Sequence, residues 1–352
     1  MKRETVRDFW MLTKPEINLL IAIATCSGFY LGSQTVPYRI PPPVLIHTLI
    51  GTLLVAGGTG TLNQYIERRF DAQMRRTIRR PVASGRISPA GALWFGIGLS
   101  IAGSVDLAIA VNPLASLLAV LTLLSYLFVY TPLKRRTPLC TFAGAIPGAM
   151  PPLIGWTAAT GRLTVVGWML YAIVFLWQFP HFMAIAWMYR DDYERAGYFV
   201  LPRGRARAQF IAWQTVLPLV ALALLTLLFH PAVVCVLVSL GFAYYGIKFV
   251  CGRSTANARQ LLHASIIYLP VLFGALLLFS AYNRAFGRRA DVIEGKASQR
   301  SQAIARGRVL SSKVIGRDDL SGGHAVRRYA SLDGAQRTEE CAPRGGGNHL
   351  PD

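Results

Sequence analysis

The sequence predicts an all-α polytopic membrane bundle, and three observations predict it. Apolar residues make up 53% of the 352-residue chain and charged residues only 15%, more hydrophobic material than one soluble core can use. Apolar stretches of about 20 residues, the length of a helical bilayer crossing, recur between short polar segments. Those stretches are long and Leu/Ala-rich and do not alternate, which disfavours a transmembrane barrel.

Taken in order, the predicted spans are 17–36, 44–62, 90–110, 114–132, 139–159, 164–186, 210–229, 232–250 and 264–283, a bundle of nine helices. The charged first 16 residues precede an apolar segment with no small-residue cleavage site, so that segment is expected to stay as the first span. In the fifth span Gly144, Gly148 and Gly155, with Pro147, Pro151 and Pro152, could let the helix bend around a bulky ligand, but read first as residues for close helix packing. From residue 284 to 352 the composition turns to Arg, Gly, Ser, Ala and Asp with no apolar period, so residues 1–283 form the membrane domain and 284–352 a disordered basic tail.

The net charge of +20 is topological rather than a nucleic-acid signal. With the N-terminus cytoplasmic, the inner segments hold 22 basic residues, among them seven arginines from Arg68 to Arg86, while the outer loops hold only Arg39 and Arg162. The five cysteines, Cys26, Cys140, Cys235, Cys251 and Cys341, lack disulfide or zinc spacing and read as ordinary apolar residues. Asp106, at the outer end of the third span, and His47 and His263 read as packing or interfacial groups.

The most informative segment, NQYIERRFDAQMRRTIRRPVASGRISP, runs from Asn63 to Pro89 at the inner end of the second span. Asn63, Glu67 and Asp71 are four residues apart, which on a helix puts them on one face with about 6 Å between levels. Such oxygen donors suit Mg²⁺, which binds one or two carboxylates together with substrate phosphates. Arg75, Arg76 and Arg80 can contact the same phosphates through forked, charge-assisted hydrogen bonds. In an arbitrary loop Glu67 and Asp71 would merely pair with Arg68 and Arg75; the order N-x-x-x-E-x-x-x-D followed by R-T-x-x-R-P-x-x-S-G favours a site.

A second acidic segment, WQFPHFMAIAWMYRDDYERAG, runs from Trp177 to Gly197. Asp191 or Asp192 there would complete a metal site shared by two helices, although an acidic pair beside Arg190 and Arg195 also serves as a surface ion pair. Between the two acidic segments, Lys134 and Arg135 in YTPLKRRT can bind diphosphate or a propionate, or simply anchor the chain at the inner face.

These motifs resemble the UbiA superfamily of intramembrane prenyltransferases, and within it the protohaem IX farnesyltransferase, or haem O synthase, branch. The resemblance covers roughly residues 10–283. It implies that Asn63, Glu67 and Asp71 bind Mg²⁺–diphosphate, and Arg76, Thr77, Arg80, Pro81, Ser84 and Gly85 fit the branch's continuation. Ile78 and Arg79 are less typical of it. In the second segment the resemblance supports Asp192 and Tyr193. The wider superfamily's D-x-x-x-D is absent because Arg195 and Ala196 follow, which leaves Asp191 less secure. His181, in Pro-His-Phe, is implied to contact the acceptor as an iron ligand, a propionate partner or a proton carrier. The implied reaction transfers farnesyl from farnesyl diphosphate to a vinyl group of haem b, with water addition, giving haem O and diphosphate. Mg²⁺ is the implied cofactor, the bacterial inner membrane the implied location, and a haem A synthase or terminal oxidase assembly the implied recipient. The acidic chemistry by itself also allows a quinone precursor or chlorophyll-like acceptor, or a haem- or ion-handling transporter.

Overall fold

A computed structural model describes residues 2–229 and 232–284, and the predicted tail lies outside them. Every regular element among the described residues is helical. The chain runs through α1 (Lys2–Leu12), α2 (Pro15–Ser33), α3 (Pro42–Asp71), α4 (Pro89–Asp106), α5 (Pro113–Leu124) and α6 (Thr131–Leu133). It continues through α7 (Cys140–Gly148), α8 (Met150–Thr160), α9 (Val165–Met188), α10 (Arg190–Arg195), α11 (Ala206–Thr226), α12 (Ala232–Gly252) and α13 (Thr255–Arg284). Wider π turns extend α4 over Leu107–Val111 and join α5 to α6 over Ser125–Tyr130.

Local sequence explains the starts. Pro15, Pro42, Pro89 and Pro113 stand at first-turn positions, where the missing N–H costs nothing. Asn112 Oδ1 accepts from Ala115 N at 2.8 Å, and Ser88 and Thr164 cap Gly91 and Gly167 likewise.

Eight of the nine predicted spans are continuous helical stretches, π turns included, long and apolar enough to cross a membrane. The fifth, 139–159, is instead divided at Ala149 into α7 and α8, of nine and eleven residues. Prolines surround the break: Pro147 ends α7, and Pro151 and Pro152 occupy the first turn of α8, where the N–H bonds of a continuous helix would be lost. The glycines there serve packing. A Cβ on Gly155 would collide with the Thr25 carbonyl of α2, and one on Gly148 with Gln178 of α9. From the opposite side, Gly28 of α2 meets the Pro152 carbonyl.

One buried cluster joins α9, α11, α12 and α13 through Trp177, Leu222, Phe249 and Phe273, and another joins α2, α3, α5 and α8 through Phe29, Val55, Leu118 and Leu153. Large apolar side chains such as Ile101, Leu224 and Leu278 are exposed on the outside, as lipid contact requires and water would penalise. At one end His47 and Asp106 pair at 2.7 Å, so these two groups are each other's partners. At the other end, Arg86 forks onto both Asp8 oxygens at 3.0 Å, and Phe199 N donates to the Lys134 carbonyl at 2.7 Å. The first bond ties the N-terminal helix to the segment after α3, and the second ties the segment after α6 to the one after α10.

Candidate active site

α3 continues well past the predicted end of its span, so Asn63, Glu67 and Asp71 lie on its last turns rather than in a loop. They are 1%, 5% and 0% exposed, and a buried carboxylate must be paired. Their partners are not the neighbouring Arg68 and Arg75. Lys134 Nζ donates to Glu67 Oε1 and Oε2 at 2.9 and 3.1 Å. Arg80 Nη1 donates to both oxygens of Asp71 at 2.8 Å. Lys14 Nζ donates to Asn63 Oδ1 at 3.0 Å, and Asn63 Nδ2 donates to Thr131 Oγ1 at 3.3 Å, which fixes the amide's orientation.

These groups line a cleft of about 200 Å³. Its walls come from α2 (Ile17), α3, the π turn before α6 (Tyr126 and Tyr130), α7 (Thr141), α9 (Phe182, Ile185 and Ala186) and both acidic segments. Arg76 stands at the cleft between two tyrosines: its guanidinium lies 4.9 Å from the Tyr189 ring centre, and its Nη2 donates to Tyr193 OH at 3.2 Å.

Electrostatics sets the basic groups apart. Burial pushes the Lys14 ammonium down to about 7, and nearby Arg80 and Lys134 push the same way. Burial also disfavours charge on Lys134, but Glu67 and then the phenol of Tyr130 outweigh it and hold this lysine well above the ordinary range. The Tyr198 phenol is pushed up by burial and by the negative Glu67. A cleft with two cations on carboxylates, and on an amide a lysine that a bound anion would hold charged, can receive a polyanion: phosphate oxygens can take over the basic groups and release the carboxylates.

The other predicted residues sort by position. Arg76, Arg80, Lys134 and Tyr193 line the cleft. Asp192 is buried behind it, accepting from Arg195 Nη1 at 3.0 Å and from the backbone N of Arg76 at 3.4 Å. Asp191 points away with its side chain 77% exposed, 3.6 Å from Arg190. Arg75 is exposed and outside the lining. Arg135 is exposed too, its guanidinium stacked 4.3 Å from the Phe70 ring centre. His181 also lies outside the lining, hydrogen-bonded to Ser265 of α13.

Among the lining residues that have no part in the sequence reading of the site are Lys14 and three tyrosines, Tyr126, Tyr130 and Tyr198. Tyr126, Tyr130 and Lys134 are spaced by four, a signal that one face was shared. Lys14 and Tyr198 come from segments whose positions only the tertiary contacts define. Lys14 has φ +54°, a left-handed conformation that costs a non-glycine residue roughly 1–2 kcal/mol and here turns α1 into α2 with the side chain inside the cleft.

The donor chemistry fits Mg²⁺. Among the described residues no three Asp, Glu, His or Cys side chains are grouped to hold a metal unaided. Two carboxylates and an amide oxygen, with phosphates supplying the rest, match the way Mg²⁺ is usually held in phosphate sites.

Fold and cleft define a membrane-embedded helical bundle with a cleft of paired basic and acidic side chains at one end. The model of the UbiA prenyltransferase family matches residues 21–269. A protoheme IX farnesyltransferase of Solibacter usitatus is 45% identical over 289 residues, covering 78% of this chain and 98% of that protein. Its counterpart in Salinibacter ruber is 42% identical, covering 77% of this chain and 98% of that protein. Solved structures share the fold at lower identity. A digeranylgeranylglyceryl phosphate synthase aligns with TM-score 0.63 at 16% identity, covering 79% of this chain and 99% of that one. A UbiA homologue from Archaeoglobus fulgidus, bound to GPP and Mg²⁺, aligns with TM-score 0.56 at 12% identity, covering 76% and 99%. The chain belongs to the UbiA prenyltransferase family.

Proposed function

We propose that this integral membrane protein transfers the farnesyl group of farnesyl diphosphate to a vinyl carbon of haem b, with addition of water, to give haem O and diphosphate. The observation that carries the diphosphate half is the buried Asn63, Glu67 and Asp71 stack, opposed across one cleft by Lys14, Lys134 and Arg80. The acceptor half is supported by the relatives at 38–45% identity, which bear the name protoheme IX farnesyltransferase.

In this reading Asn63, Glu67 and Asp71 hold Mg²⁺, with Asp192 orienting the Arg76 backbone beside it. When bound, the ion neutralises charge on the diphosphate. Lys134 and Arg80 turn from the carboxylates to phosphate oxygens, and Lys14 and Arg76 add two further cations. As the allylic C–O bond breaks, its electron pair leaves with diphosphate, where these four side chains stabilise it. The vinyl π electrons form the new C–C bond. Water then adds to the resulting cation and loses a proton, leaving the hydroxyl of haem O. The faces of Tyr126, Tyr130 and Tyr198 stabilise developing positive charge, and the closed apolar wall of Phe182 and Ile185 keeps water from quenching it early.

The arginine distribution supports a cleft on the cytoplasmic side, and the bacterial sources of the similar proteins support a bacterial inner membrane. Haem O, being membrane-bound, would pass to an enzyme that oxidises it further or to an oxidase that incorporates it, such as a haem A synthase or terminal oxidase assembly. The test is to incubate purified protein with haem b, farnesyl diphosphate and Mg²⁺, and to look for haem O and diphosphate by mass spectrometry. Chelation of Mg²⁺, or Asp71→Ala, should lower turnover at least ~100-fold. Full farnesyl transfer by Asp71→Ala at limiting Mg²⁺ would refute the metal assignment, and haem binding without conversion would favour a carrier.

A further inference from the structure

Outside the cleft, the hydrogen bonding around His181 determines which of its ring nitrogens is free. His181 Nδ1 lies 2.8 Å from Ser265 Oγ on α13. Ser265 has a single hydroxyl proton, and its Oγ donates to the Leu262 carbonyl at 2.6 Å. A carbonyl can only accept, so this proton is committed and Oγ must accept from His181. In the neutral ring Nδ1 therefore carries the hydrogen, and Nε2 is left with a bare lone pair.

The ring is held as well as polarised. It stacks on Trp177 with centres 4.8 Å apart, and Trp177 Nε1 donates at 2.8 Å to the carbonyl of the same Ser265. Ser265 is fully buried, while His181 keeps part of its surface open. An imidazole whose Nδ1–H is engaged by a fixed acceptor while Nε2 stays free is the usual arrangement of a histidine metal ligand. The same bond leaves no N–H to hold a propionate.

Position agrees. Ile185, one turn further along α9, and Phe182, the next residue, both line the cleft. His181 thus stands beside the cleft wall, about 1.5 Å along the helix axis from Phe182 and about 6 Å from Ile185. We propose that His181 Nε2 is the axial ligand to the iron of the acceptor haem, oriented by Ser265, so that the macrocycle's edge reaches over Phe182 to the allylic carbon. This rests on the haem reading above.

The test uses the purified full chain, with haem b and metal-free protoporphyrin IX as alternative acceptors. His181→Asn keeps an amide donor at the Nδ1 level for Ser265 and removes only the Nε2 position. It should lose the histidine-ligated optical and EPR signature, regain it with added imidazole, and raise the haem KM at least ~10-fold. Use of the metal-free macrocycle and binding of farnesyl diphosphate should stay unchanged. Ser265→Ala, which retains the ligand but frees the ring, should weaken haem binding several-fold. An unchanged spectrum and haem KM in His181→Asn would overturn the ligand assignment. So would equal losses with both macrocycles, or loss of hydroxylation alone, which would make Nε2 a base. Wild-type protein that forms no haem O would instead refute the acceptor reading itself.

Discussion

Glu67 and Asp71 illustrate how little a local charge pattern says about partners. Their sequence neighbours Arg68 and Arg75 are the obvious candidates, yet the bonds go to Lys134 and Arg80. Burial decides this: a carboxylate facing the bundle interior can pair only with a cation that also reaches inside. Arg80→Ala and Lys134→Met should each reduce farnesyl transfer ~100-fold or more, whereas Arg75→Ala and Arg135→Ala should stay within about twofold, measured as kcat/KM for farnesyl diphosphate. Lys134→Met also strands Glu67 and should destabilise the protein by about 3–5 kcal/mol. Adding Glu67→Gln should recover much of the melting temperature in detergent but none of the activity. At this scale Asn63, Glu67 and Asp71 were legible because a four-residue period survives in any helix. Lys14 and Tyr198 were not, since nothing local marks a side chain delivered by a turn.

The helices themselves explain why the site is both polar and buried. At 1.5 Å per residue, the 30-residue α3 is about 45 Å long against a hydrocarbon layer of about 30 Å. Its last turns therefore emerge from the lipid but stay enclosed by α2, α6 and the inner segments, so they can carry carboxylates without facing either lipid or open water. The Ser125–Tyr130 π turn likewise falls where Tyr126 and Tyr130 enter the cleft. Helices α2 and α8 approach backbone to backbone where Gly155 admits the Thr25 carbonyl. Gly155→Ala should separate these backbones and destabilise the bundle by about 1–3 kcal/mol. Gly98→Ala, at an exposed helical position with open space around it, should leave the melting temperature equal or slightly higher. The long apolar periods revealed the spans, but the break at Ala149 and the start of α13 at Thr255 depend on proline placement and on packing that hydropathy does not see.

For the molecule as a whole, the arrangement of charge makes a topological prediction. With the five native cysteines replaced, a single cysteine at Arg162 should react with an impermeant reagent from outside spheroplasts. One at Arg203 should react only after permeabilisation. The reverse pattern would put the cleft on the outer side and contradict the proposed orientation.

By itself the sequence determined the membrane, the helical class, the carboxylate face and, through its motifs, the resemblance to a prenyltransferase family. The first three follow from composition and helical period, which are local properties, and the resemblance rests on the order of residues in the motifs. Only the tertiary structure decided which cations meet which carboxylates, that Arg75, Arg135 and Asp191 stand outside the cleft, and that His181 turns to Ser265. Lys134 meets Glu67 across 67 positions, His181 meets Ser265 across 84, and even Arg80 reaches Asp71 only by folding back over nine; such contacts exist only once helices have packed and buried charges have had to find partners inside.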